Sequence, residues 1–155
     1  MAAKEIRLKF DGYVALTQTL LSLTNGNARQ STLISNTNLR HGALLTYRIK
    51  SGAAAPTVGT IYEIFLLKGN GTVRTDNAGA SDAAITIVNA QLVGTLQVTA
   101  TANANFTDVF DTAPLGKLGP EWGTAVRNSS GQTVSAGAES DFVKEYNAYV
   151  PELQA

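Results

Sequence analysis

The sequence predicts an all-β protein: an antiparallel sandwich of eight to ten short strands in a jelly-roll arrangement. Three observations lead there. Eighteen threonines stand among Val, Ile, Tyr and Phe, residue types that suit a pleated surface. Fourteen glycines punctuate the chain, and with Asn, Asp and Pro they give a turn signal about every ten residues. Helix signals are weak. At this length, many short strands closing on one core most often form a jelly roll.

The elements follow in order. Ile6-Arg7-Leu8-Lys9-Phe10 alternates apolar and basic residues, the pattern of a half-buried strand. Asp11-Gly12 reads as a turn. Tyr13 to Leu23 holds Val14, Leu16, Gln18 and Leu20 at period two; Leu16, Leu20 and Leu23 would also fit a helix face, but Thr17 and Thr19 favour a strand. Asn25-Gly26-Asn27 is a turn. Short and longer strands are expected at Arg29 to Asn36 and at Leu39 to Lys50, with Leu45, Tyr47 and Ile49 on one face. Ser51 to Thr57 is a loop. Thr60 to Lys68 is the most apolar segment and reads as a central strand. Gly69 to Ala83 is a polar loop with room for a short strand at Thr72 to Arg74. Strands are then expected at Ile85 to Val88, Gly94 to Thr101, Phe106 to Phe110, Trp122 to Arg127 and Phe142 to Val150. No fixed repeat and no dividing linker interrupts this series, so residues 1–155 read as one domain.

Composition excludes more than it names. The twelve acids and twelve bases cancel, and charged residues make up 15% of the chain, whereas a nucleic-acid binder normally carries a basic excess. The absence of cysteine removes disulfide scaffolds, Cys-zinc sites and thiol catalysis, and one histidine, His41, offers no multi-histidine metal site. The N-terminus carries charges where a signal peptide needs an apolar core, and no apolar run approaches the roughly 20 residues of a membrane span. The expectation is a soluble protein made in the cytoplasm that contacts neither membrane nor nucleic acid. Charge is uneven along the chain. Residues 1–50 hold seven bases and two acids; residues 51–155 hold five bases and ten acids. Either the two parts interleave within one fold, or they form complementary docking faces.

The chemical constellations are thin. His41 lies in Leu-Arg-His-Gly at a turn, with no nucleophile elbow anywhere to serve. Asp108 with Asp111, and Glu139 with Asp141, are paired carboxylates at loop edges, where solvated side chains are the norm. Gly69-Asn70-Gly71 lacks the Lys-Ser/Thr of a phosphate loop and reads as a hairpin connection. Asp76-Asn77 with Ser81-Asp82 is a weak offer to calcium, and turn chemistry explains the same residues. No cofactor, no metal and no enzymatic activity are expected. Trp122, after Gly119-Pro120-Glu121, is the best candidate for a sugar platform, with core or interface packing as the competing account.

Taken in order, Leu8-Lys9-Phe10-Asp11, Arg29-Gln30-Ser31-Thr32, Gly69 to Asp76, Gly79 to Ala83 and Leu115 to Gly123 give a chain that resembles small virion proteins of tailed bacteriophages. The resemblance implies a β-sandwich subunit that decorates or cements a capsid, often as a trimer, with the major capsid protein or another virion protein as its partner. It carries over no catalytic residue. It places the protein in the virion, on the head or elsewhere. The candidate contacts with the capsid or between subunits are the basic first strand (Lys4, Arg7 and Lys9), Arg74 and Asp76 in the long polar loop, and Trp122. A carbohydrate- or receptor-binding module is the alternative expectation.

Overall fold

The structure, a computed structural model, describes residues 5–154. Ten strands form: β1 (Glu5–Ala15), β2 (Ala28–Gln30), β3 (Ile34–Ser35), β4 (Gly42–Lys50), β5 (Ile61–Gly69), β6 (Ala83–Ile85), β7 (Gln91–Gln97), β8 (Asn105–Asp111), β9 (Glu121–Ser129) and β10 (Val143–Gln154). One sheet has the order β1-β10-β4-β8; the other runs β6-β2-β9-β5-β7, with β3 also on β9. Every pairing is antiparallel. Without the short β3 and β6, the eight principal strands have the connectivity of a jelly roll: successive strands change sheet except β5 and β7, which pair as neighbours in one sheet.

The core lies between the sheets. Leu45, Tyr47 and Ile49 of β4 point inward, as their alternation predicts, and meet Tyr62, Ile64 and Leu66 of β5 with Trp122 and Val126 of β9. Tyr47 is fully buried. Its hydroxyl donates to Oε1 of Gln18 at 3.1 Å and shares a 2.6 Å hydrogen bond with the Thr124 hydroxyl. Burial pushes this phenol well above its ordinary pKa.

The outer face of the second sheet has a smaller core of its own. Phe65, Leu67 and Ala125 are covered by the connection between β5 and β7, through Ala78, Ile85, Ile87 and Ala90. Two side chains fasten this cover. Gln30 donates to the carbonyls of Gly79 and Ser81 and accepts from the Gly79 amide. Asp76 accepts the backbone N–H groups of Val88, Asn89 and Ala90 at 3.0, 2.7 and 3.0 Å.

Several segments differ from the sequence reading. Asp11-Gly12 is not a turn: β1 runs through it as a bulge between Phe10 and Tyr13, which Gly12 accommodates at φ 96°. The expected strand from Tyr13 to Leu23 ends at Ala15. Beyond it Leu16, Gln18 and Leu20 still alternate inward, but the chain is crossing between sheets, and its amides go to Lys144 and to the Glu139 carboxylate rather than to a ladder. Arg29 to Asn36 divides into β2 and β3. Thr72 to Arg74 makes one isolated bridge with Gly69, and the segment after Ile85 leaves the sheet because Asp76 takes its amides. The last strand continues four residues past Val150.

Candidate interaction surface

The extension of β10 creates the most distinctive feature of the surface. The pairing of β10 with β4 stops at Tyr149 opposite Gly42, whereas its pairing with β1 continues to Gln154 opposite Glu5. Glu5–Lys9 and Val150–Gln154 therefore form a two-stranded ribbon that leaves the sandwich with no third strand beside it. Register fixes its faces. Ile6 lies opposite Leu153, Leu8 opposite Pro151, and Phe10 opposite Tyr149. Directly paired residues of an antiparallel ladder share a face, so these six apolar or aromatic residues line one side. Ile6 is 74% exposed, Leu8 51%, Phe10 43% and Leu153 57%. The other side carries Arg7, Lys9 and Glu152.

The root of the ribbon is well fixed. The Phe10 and Tyr149 rings pack at 5.3 Å, and the Tyr149 hydroxyl donates to Asp111 Oδ1 at 2.6 Å. Burial, reinforced by the Asp111 carboxylate, raises the Tyr149 phenol pKa. Tyr149 lies across Gly42, where any Cβ would collide with its ring and hydroxyl. Asn147 Oδ1 accepts the Gly12 amide at 2.9 Å, and Asp11 pairs with Arg40 at 2.6 Å.

The same end of the sandwich holds the base of the long polar loop. The His41 amide donates to the Tyr149 carbonyl and the Leu118 amide to the His41 carbonyl, while Arg74 reaches Glu121 at the start of β9. Exposed Leu39 and Val73 stand in these loops, so the end from which the ribbon departs is also rich in uncovered apolar side chains.

Each candidate residue can now be placed. Lys4 lies outside the described residues. Arg7 and Lys9 are on the polar face of the ribbon, but they are not a free basic patch: Arg7 pairs with Glu5 at 2.9 Å and Lys9 with Glu152 at 3.3 Å. The apolar face opposite them, which sequence reasoning missed, is what remains uncompensated. The alternation of Ile6, Leu8 and Phe10 signals it, but the last strand expected from the sequence, Phe142 to Val150, stops short of Pro151 and Leu153. Arg74 is exposed enough for contact yet bound to Glu121 at 2.9 Å, which raises the guanidinium pKa and lowers that of the carboxyl. Asp76 is a fastener of the loop. Burial opposes its ionisation, but three amide donors outweigh that, and its carboxyl lies below the ordinary range. Trp122 is corrected outright: it is 1% exposed, packed edge-on against Tyr146 at 5.1 Å, and can offer no platform to a sugar or a partner.

The carboxylate pairs also separate into structural roles. Glu139 accepts the amides of Leu20 and Leu21 and pairs with Lys144, while Asp141 holds Ser135 and Lys50. Asp82 takes Arg29 and Thr19, while Asp76 takes the amides of Val88, Asn89 and Ala90, so both carboxylates of the oxygen-rich loop are engaged by protein donors. Among the described residues, no three His, Asp or Glu side chains converge as metal ligands would. No protein-family model and no curated protein matches the chain.

Proposed function

We propose that the protein is a structural subunit of a tailed-phage virion, without enzymatic activity, that oligomerises and binds the capsid surface as a decoration or cement protein. One observation carries this reading: a jelly-roll body sends out a terminal ribbon whose apolar face is uncovered in the single chain. Exposed apolar surface of this extent, organised on one face, marks a place where another protein sits. The sequence resemblance to small virion proteins supplies the setting. The polar side chains that looked chemical are engaged in holding loops, which suits a rigid building block repeated over a lattice. An oligomer would present several copies of each loop to a repeating capsid site, and simultaneous contacts multiply weak affinities through effective concentration.

The test is cosedimentation of the purified protein with empty capsids of the phage that encodes it, prepared without this protein. Saturable binding at a fixed ratio to the capsid subunit is expected, together with a raised capsid melting temperature. Absence of saturable binding overturns the proposal.

A further inference from the structure

We propose that the apolar face of the terminal ribbon packs against the same face of further copies of this chain, closing a symmetric homo-oligomer around the ribbons. The inference deepens the reading of the protein as an assembling subunit and assigns the subunit contact to a surface.

The ribbon cannot account for itself as an isolated element. Two strands with one apolar face are at best marginally stable in water, and need a third strand or a packed layer. Here Ile6, Leu8, Phe10, Pro151 and Leu153 lie on one side of the ribbon, and every residue of β1 is exposed, so nothing else in the described chain covers that side. The register is nevertheless continuous from Glu5 to Phe10 and the root is fastened through Tyr149 and Asp111. The ribbon is thus held in place with its apolar side open.

A second copy is the occupant that the chemistry fits. The outer part of this face holds no charged residue, so its cover must be apolar and uncharged, which the identical face is. The ribbon's ionic groups, Glu5, Arg7, Lys9 and Glu152, pair among themselves, and by strand alternation all four lie on the opposite side. Copies can therefore close face to face without bringing like charges together, the requirement of a self-complementary contact. The area is also sufficient. With Tyr13 included, the exposed side chains present on the order of 500 Å². Two such faces bury about 1,000 Å² together, which reaches the size that a specific interface needs.

The experiment reads oligomeric state and then the contact itself. Light scattering after size exclusion should give two or three times the 16.3 kDa chain mass. Ile6→Asp combined with Leu153→Asp should reduce it to the single-chain mass, with the β-type circular dichroism spectrum and a cooperative melt retained. Because the chain has no cysteine, Leu8→Cys gives an independent probe in an otherwise unaltered protein. Mild oxidation should link two copies through it, while Val58→Cys, exposed in the loop at the far end of β4, should stay unlinked. A wild-type monomer at the highest attainable concentration overturns the proposal, as does a Leu8→Cys protein that fails to cross-link while oligomeric. A monomer that still binds capsids refutes the subunit contact and spares the virion role; an oligomer that ignores capsids does the reverse.

Discussion

Replacing Asp76 separates a loop fastener from a capsid contact. In Asp76→Asn the acceptor loses its charge, and the new amide group turns donors toward the N–H groups of Val88, Asn89 and Ala90 that the carboxylate now accepts. A hydrogen bond to a charged group contributes about 1.5–3 kcal/mol. The three bonds share one half-buried carboxylate and are not additive, so the loss is set at roughly 2–3 kcal/mol. For a chain of this size each kcal/mol moves the midpoint by about 2–4 °C, so the melt should fall by roughly 5–10 °C at pH 7. The sign of the pH dependence follows from the lowered carboxyl pKa. The stabilisation is complete above the unfolded value of about 3.9 and disappears as pH falls through the folded value. The gap between wild type and variant, measured by thermal denaturation, should therefore close in acid. An unchanged midpoint at pH 7 would refute the fastening role, and lost capsid binding beside that unchanged midpoint would make Asp76 a contact residue.

Other substitutions probe the body. Trp122→Ala should cost about 3–5 kcal/mol in denaturant unfolding, as removal of a large buried side chain does; in the wild type, the single Trp should keep its buried emission when glycans are titrated. Tyr47→Phe leaves Gln18 and Thr124 without a shared buried partner and should cost about 1–2 kcal/mol, read from the same unfolding curves. Gly42→Ala places a methyl group against the Tyr149 ring; a loss of about 1–3 kcal/mol is expected, with faster amide exchange in the ribbon as Tyr149 leaves Asp111.

The parts of the fold legible in the sequence are those where local pattern and tertiary environment agree. Leu45, Tyr47 and Ile49 alternate because one face of β4 meets a core, and Thr60 to Lys68 is apolar because β5 has the main core on one face and the smaller core on the other. Leu16, Gln18 and Leu20 show the limit of that signal. Their alternation reports which side chains point inward, and an extended crossover satisfies it as well as a strand does. The ends of strands were the least legible. Pro151 reads as a terminator, yet at the end of a ribbon its missing N–H needs no inner neighbour, so β10 passes through it. That single extension determines the candidate surface. Arg7 and Lys9 stand out by charge, but Glu5 pairs with Arg7, and Glu152, far away in sequence, pairs with Lys9; only the register reveals the second pair.

Register also decides what the lengthwise charge asymmetry means. The basic first third does not become a basic face. Lys9 pairs with Glu152, Arg29 with Asp82, and Lys50 with Asp141, each joining the early bases to later acids at 3.3, 2.6 and 3.0 Å. With these charges neutralised inside one chain, long-range attraction between faces has little left to act through. Association through the ribbon should then follow apolar burial. Raising ionic strength from about 0.05 to 0.5 M shortens the screening length several-fold, yet the dissociation constant measured by analytical ultracentrifugation should change by no more than about threefold, since charge pairs across the contact are what screening would weaken. Cooling should loosen the oligomer, because apolar association weakens at low temperature. A dissociation constant that rises by more than about tenfold with salt would mean that copies meet through their charged surfaces, and that the face formed by Ile6, Leu8, Phe10, Pro151 and Leu153 is covered by something else.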